Sequence, residues 1–210
     1  MLSVASNPGQ CLWSGIVPPQ RARAVVTRLM RSDMWSGWGI RTLSAEHAAF
    51  NPFSYQNGAV WPHDNAFIAR GFRRYGYVDE ANLIARGIFG AGSYFVLNRI
   101  PELYAGLQKD DSDFPVQYLG ANVPQAWAGG SIFLLLSTML GIRPDGRTGM
   151  LYVDPKLPRW LEELTIRNLR AGGQVFDIRF WRSEDEVEFE LLQGDGGCLA
   201  HRTIEWHDVL

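Results

Sequence analysis

The spacing of apolar residues changes once along this chain of 210 residues, and that change limits what it can fold into. Up to about residue 142 the spacing is helical. Ala22, Val25, Val26, Leu29 and Met30 fall at i, i+3, i+4, i+7 and i+8 behind Pro18 and Pro19, which suit a helix start. Phe67, Ile68, Gly71, Phe72 and Tyr75 share a face behind Asp64, a residue type that caps helices, and Gly76 stops that helix. A third helix is predicted from about Asp79 through Leu83, Ile84, Gly87, Ile88 and Ala91 to Phe95, and a fourth from near Pro124 to Gly141. The fourth is apolar nearly all round from Ile132 to Leu136, followed by Met139 and Leu140, which predicts burial on every side. After Pro144 the period becomes two. Leu164 and Ile166, then Val175, Phe176, Ile178 and Phe180, then Val187, Phe189 and Leu191 read as three strands. Ala171-Gly172-Gly173 and Ser183-Glu184-Asp185 supply the turns, and Glu186, Glu188 and Glu190 give the small antiparallel sheet a wet face.

Residues 1–143 are therefore expected to form a helical domain, 144–193 an antiparallel β appendage on it, and 194–210 a loose tail. The connections at 33–63 and 98–123 are long for a compact domain, and such loops are often functional. They hold aromatic residues rather than linker composition: Trp35, Trp38, Phe50, Phe53, Tyr55 and Trp61 in the first, Tyr104, Phe114 and Tyr118 in the second. The chain has 8 Trp, 7 Tyr and 11 Phe. These are either an aromatic core or stacking platforms for flat, partly apolar ligands such as sugars.

Other classes are excluded. With 46% apolar and 20% charged residues the chain can bury a core, so a largely disordered chain is ruled out. A net charge of −2 lacks the basic excess that nucleic acid or an anionic membrane demands. No apolar stretch is long enough to span a bilayer. Met1 to Gln10 lacks the basic-then-apolar pattern of a signal peptide, and Cys11 and Cys198 stand far apart, which suits free thiols in a reducing, cytoplasmic setting. No pair among His47, His63, His201 and His207 has metal-ligand spacing, so no metal is expected. There is no phosphate-binding glycine loop and no Gly-x-Ser-x-Gly elbow, so no cofactor is expected and nucleophilic serine or cysteine catalysis has no support.

Carboxylates remain. Glu102 lies in Ile100-Pro101-Glu102-Leu103-Tyr104, just past a helix that Pro101 should end. An acid held among apolar neighbours suits proton transfer, and the other reading is a structural carboxylate bonded to nearby amides. Asp64 reads as an N-cap, or as one that also bonds sugar hydroxyls. Arg41 reads as a ligand clamp, or as the partner of Glu46. Asp110, Asp111 and Asp113 cluster beside Lys109 and Ser112 as a solvated group.

Four runs carry a resemblance. They are Ser36-Gly37-Trp38-Gly39-Ile40-Arg41-Thr42-Leu43-Ser44, Ser54-Tyr55-Gln56-Asn57-Gly58-Ala59-Val60-Trp61-Pro62-His63-Asp64-Asn65, Pro101-Glu102-Leu103 and Pro124-Gln125-Ala126-Trp127-Ala128. In this order they resemble the C-terminal part of the amylo-α-1,6-glucosidase (glycogen debranching) family, within the six-hairpin glycosidases, over about residues 5–182. The resemblance implies a mainly α fold, part of an (α/α)6 toroid with the β appendage, and inverting hydrolysis of an α-glycosidic bond in a glucan or oligosaccharide by two carboxylates. It places the general base at Glu102. It puts Trp61, His63 and Asp64 around the innermost sugar, with Tyr55 and Asn57 of the same run, and Trp38, Arg41 and Gln125 along the same cleft. The family's general-acid Asp lies upstream of the segment that begins here near Ser6, and no residue of this chain corresponds to it. The expectation is a C-terminal half whose partner is the missing N-terminal half of the toroid, and which alone does not hydrolyse glycosides. A hydrolase of a small glycoside of the mannosylglycerate or trehalose type, or a non-catalytic sugar-binding remnant, are the other readings.

Overall fold

The computed structural model describes residues 3–184, 186–205 and 207–208. Among them are five α-helices: α1 Asn7–Ser14, α2 Pro19–Leu29, α3 Pro62–Arg74, α4 Val78–Gly92 and α5 Ala126–Leu140. Six strands follow α5: β1 Arg143–Asp145, β2 Met150–Val153, β3 Glu163–Ala171, β4 Gln174–Ser183, β5 Glu186–Gln193 and β6 Leu199–His201. No described helix is long and apolar enough to cross a membrane. The chain divides into two compact units, Met1–Leu135 and Leu136–Leu210, and the division falls inside α5.

In the first unit α3 is central, packed on α1 and on α4, and α1 also meets α2. Glycines make the α1–α3 contact close. A Cβ on Gly71 would stand 2.6 Å from the Trp13 backbone nitrogen, and one on Gly9 would stand 2.6 Å from Ile68 Cγ1. Leu12, Val26, Leu29, Met34, Ile68, Phe72, Ile84 and Ile88 form the buried core. α1 was not foreseen. It is short, and its only signals are Ser6 and Pro8 at its start and the left-handed Gly15 at its end.

The two long connections are not plain loops. Isolated antiparallel bridges join Ala5 to Leu43, Trp35 to Ile40, Arg41 to Val60, Val60 to Tyr104 and Tyr104 to Gln117. Extended pieces of the chain thus lie side by side, four of the five contacts running on from residue 5 through 43, 60 and 104 to 117. Backbone bonds hold them, among them Thr42 N–H to Ala59 O at 3.0 Å and the reciprocal pair Val60 N–H to Tyr104 O at 2.9 Å and Tyr104 N–H to Val60 O at 3.1 Å.

The second unit holds two three-stranded sheets. One is the antiparallel meander β3-β4-β5; in the other, β2 lies between antiparallel β1 and parallel β6. Phe176, Ile178 and Phe180 alternate into its core and the three glutamates of β5 stay exposed. Gly172 and Gly173 make the β3–β4 turn with φ of 57° and 81°. Asp185 of the second expected turn lies outside the described residues, as do Met1, Leu2, Trp206, Val209 and Leu210. Where a loose tail was expected from Gly194, a 3-10 turn at Gly196–Cys198 leads into β6.

The expectation of a mainly α chain, part of an (α/α)6 toroid, is corrected. The described residues combine five helices with two small sheets and the ribbon of bridges, a mixed α/β arrangement. Single-pair bridges and strands of three or four residues are too short to show a period of two, so the sequence concealed them. α5 is also not buried on every side: Trp127 is 50% and Phe133 75% exposed.

Candidate active site

The ribbon decides which residues meet. Because Val60 pairs with Tyr104, the Pro101-Glu102-Leu103 run lies beside Trp61 and the first turn of α3. Leu103 packs with Ala59 and Trp61 in one buried cluster, with Tyr118 and Ala121 against it. Glu102 is only 4% exposed. Its Oε1 accepts a hydrogen bond from Tyr55 Oη at 2.6 Å, and its backbone N–H donates to Asn122 O at 3.0 Å. The Tyr55 ring meets Trp61 edge-on at 4.7 Å and Tyr118 at 5.8 Å, while Trp61 Nε1–H donates to the Tyr55 carbonyl at 3.0 Å.

Beside this group opens a cleft of about 450 Å³ whose walls include Gln10, Thr42, Asn57, Trp61, His63 and Asp64. That volume falls within the range of small-molecule sites. Asp64 does not cap α3. Trp61 holds the N-cap position, no side chain caps the helix, and Asp64 sits in its first turn. Asp64 Oδ1 instead accepts from Gln10 Nε2 at 2.5 Å, so the N-cap expectation is corrected. Pro62 explains why the helix starts earlier than Asp64, since proline suits the first helical positions. Asn65 fixes the entry to α3: its Oδ1 accepts from Ile40 N–H at 2.6 Å, and its Nδ2 donates to the Ile40 and Trp61 carbonyls at 3.0 Å.

His63 stands among aromatic rings, with Trp61 at 5.5 Å and Trp127 at 5.3 Å, and its buried Nδ1 has no hydrogen-bond partner among the described residues. Burial pulls its pKa below the ordinary 6.5, while the negative charges of Asp64 and Glu102 pull it upward. The imidazole is therefore neutral at pH 7, with one donor and one acceptor nitrogen. Between the folded pKa and 6.5 the unfolded chain binds a proton that the folded chain refuses, so this part of the stability is complete above pH 6.5 and is lost as pH falls through the folded value. Melting temperature measured from about pH 7.5 to about pH 5 should fall more steeply below pH 6.5 in the parent than in His63→Asn. Parallel curves would refute the burial account.

The remaining candidates are placed elsewhere. Trp38 is 2% exposed, beneath Lys109 and against Tyr94, and its carbonyl accepts from the buried Tyr104 Oη at 2.8 Å. The Arg41 side chain is buried. Its guanidinium donates to Gly106 O at 2.6 Å, Ser32 O at 2.9 Å and Gln108 Oε1 at 2.9 Å, and it is 3% exposed. Gln125 Oε1 accepts from the Ala126 N–H at 3.2 Å, at the start of α5. Trp38, Arg41 and Gln125 are not walls of the cleft, nor are Glu102 and Tyr55. Gln10 was missed because α1 was missed; Trp127 lay in a quoted run without being singled out.

Residues 9–94 match the family described as "Mannosylglycerate hydrolase MGH1-like glycoside hydrolase domain". A mannosylglycerate hydrolase from Rubrobacter radiotolerans is 34% identical over 92 residues, which are 41% of this chain and 21% of that protein. Among solved structures, an uncharacterized conserved protein from Thermus thermophilus is similar with a TM-score of 0.48 and 18% identity over 65% of this chain and 30% of the other. The matched segment is thus similar to glycoside hydrolases, and these matches do not single out the amylo-α-1,6-glucosidase family. It contains every cleft wall named above from Gln10 to Asp64 and ends before Glu102 and Gln125.

Proposed function

We propose that this chain is the base-bearing part of a glycoside hydrolase that cleaves the α-glycosidic bond of a small, mannosylglycerate-type glycoside with inversion. The observation that carries the reading is the buried Glu102 carboxylate held by Tyr55 beside Trp61, next to the cleft walled by Trp61, His63 and Asp64. The similarity to a mannosylglycerate hydrolase supports the small glycoside over a branched glucan. In this reading Glu102 takes a proton from water as the water oxygen attacks the anomeric carbon from the face opposite the leaving group. Trp61 offers the sugar an apolar wall, and neutral His63 and Asp64 offer one donor and one acceptor edge for hydroxyls. No residue of this chain is assigned the acid that protonates the leaving oxygen.

That gap sets the experiment. Fluoride leaves without protonation, so an α-glycosyl fluoride needs the base and not the acid. The purified chain is offered α-mannosyl fluoride and α-glucosyl fluoride, beside mannosylglycerate, trehalose and maltooligosaccharides. Fluoride release above the spontaneous rate, with the β sugar as first product and mannosyl preferred over glucosyl, is expected, with turnover of the unactivated glycosides far slower. Tryptophan fluorescence that responds to sugars while no fluoride is released would establish a non-catalytic sugar-binding protein instead.

A further inference from the structure

The bond from Tyr55 is the side-chain hydrogen bond that the Glu102 carboxylate makes among the described residues. Tyr55 is itself pinned. Trp61 lies edge-on to its ring and bonds its carbonyl, and Tyr118 flanks the other side. The segment that carries it is tied back by Asn51 N–H to Asn57 O at 2.8 Å and by Gly106 N–H to Pro52 O at 3.0 Å. Tyr55 is 38% exposed, yet its hydroxyl is committed to the buried carboxylate and its ring lies against Trp61 and Tyr118.

We infer that Tyr55 is a positioning residue: its hydroxyl fixes Oε1 of Glu102 and leaves Oε2 to take the proton from the attacking water. This rests on Glu102 being the base proposed above. With a glycosyl fluoride the step balances. The water oxygen bonds to the anomeric carbon, the C–F bond breaks with its electron pair going to fluoride, and one water proton passes to Oε2. Tyr55 keeps its own proton throughout. The carboxylate it bonds raises the phenol above its ordinary pKa, so it remains a donor through the working pH range.

Tyr55→Phe removes one oxygen and keeps the ring. A hydrogen bond to a charged group is worth enough that kcat on α-mannosyl fluoride should fall about 10- to 100-fold, with KM within about twofold of the parent. The double variant Tyr55→Phe/Glu102→Gln should be no slower than Glu102→Gln, because the two residues act as one unit. In the intact protein the Tyr55 phenol, followed by NMR of ring-labelled tyrosine, should titrate above an ordinary tyrosine and return toward it in Glu102→Gln. A raised KM with parental kcat, or losses that multiply in the double variant, would overturn the inference. So would a Tyr55 phenol that titrates as an ordinary tyrosine in the parent. If Glu102→Gln keeps the parental rate, the hydrolase reading fails and the inference falls with it. An inactive Glu102→Gln beside a fully active Tyr55→Phe fells the inference alone.

Discussion

Glu102→Gln is expected to slow fluoride release from an α-mannosyl fluoride by about 10²–10⁴-fold, the usual worth of one acid–base group. The substitution exchanges one carboxylate oxygen for an amide nitrogen. The amide oxygen of glutamine still accepts from Tyr55 Oη, so the contacts of the buried side chain are kept while its ability to take a proton is lost. KM and the tryptophan response to sugar should therefore stay near the parent, since Trp61, His63 and Asp64, which line the cleft, are unchanged. The measurement is a fluoride electrode trace at saturating substrate for parent and variant, with sugar titrations of fluorescence beside it. A variant within about threefold of the parental rate would remove Glu102 from the chemistry, whatever its place in the Pro-Glu-Leu run.

The largest effect on stability is expected at Gly106. A Cβ there would stand 1.8 Å from the Gly58 carbonyl oxygen, far inside the roughly 3.3–3.6 Å of a normal C···O approach. The obstacle is backbone, so it cannot rotate aside. Gly106 also donates to Pro52 O at 3.0 Å and accepts from Arg41 Nε at 2.6 Å, and moving it strains both bonds. Gly106→Ala should cost about 3 kcal/mol, the upper end of overpacking penalties, and lower the melting temperature by roughly 6–12 °C. Gly129→Ala is the control. It lies within α5 with nothing within 4 Å of the added carbon, and there the change should add about 0.5–1 kcal/mol. Equal melting of parent and Gly106→Ala would refute the close approach of Gly106 to the Gly58 carbonyl.

What the sequence disclosed follows from length. α2 to α5 each repeat an apolar face for three turns or more, and β3, β4 and β5 alternate over eight to ten residues, so their patterns stand out. α1 has eight residues with Gly9 and Leu12 buried, and β1, β2 and β6 have three or four residues each, less than one readable period. The site divides in the same way. Tyr55, Trp61, His63, Asp64 and Glu102 were named from their runs, but nothing in those runs states that residue 60 lies against residue 104. Arg41 shows the converse. A lone arginine in a loop invites a ligand or a carboxylate, and here it donates to the Ser32 and Gly106 carbonyls and the Gln108 amide oxygen, the last two from more than sixty positions away. The bonds of Asp64 also could not be read, since Gln10 reaches it from 54 positions away.

The ribbon of single bridges governs the order in which this molecule can be assembled. Each bridge closes a loop for the return of one residue pair, and most of the pairs lie well over ten positions apart, so the entropy of closure precedes any reward. Helices α3 and α4 are consecutive and can condense early on local contacts. The pairing of Val60 with Tyr104 has no such local help and must wait for them. Glu102 and Trp61 therefore become neighbours only once the long loop between residues 60 and 104 has closed. A chain built in this way cannot carry a finished site on a half-folded scaffold: sugar chemistry and the fully native state arrive together.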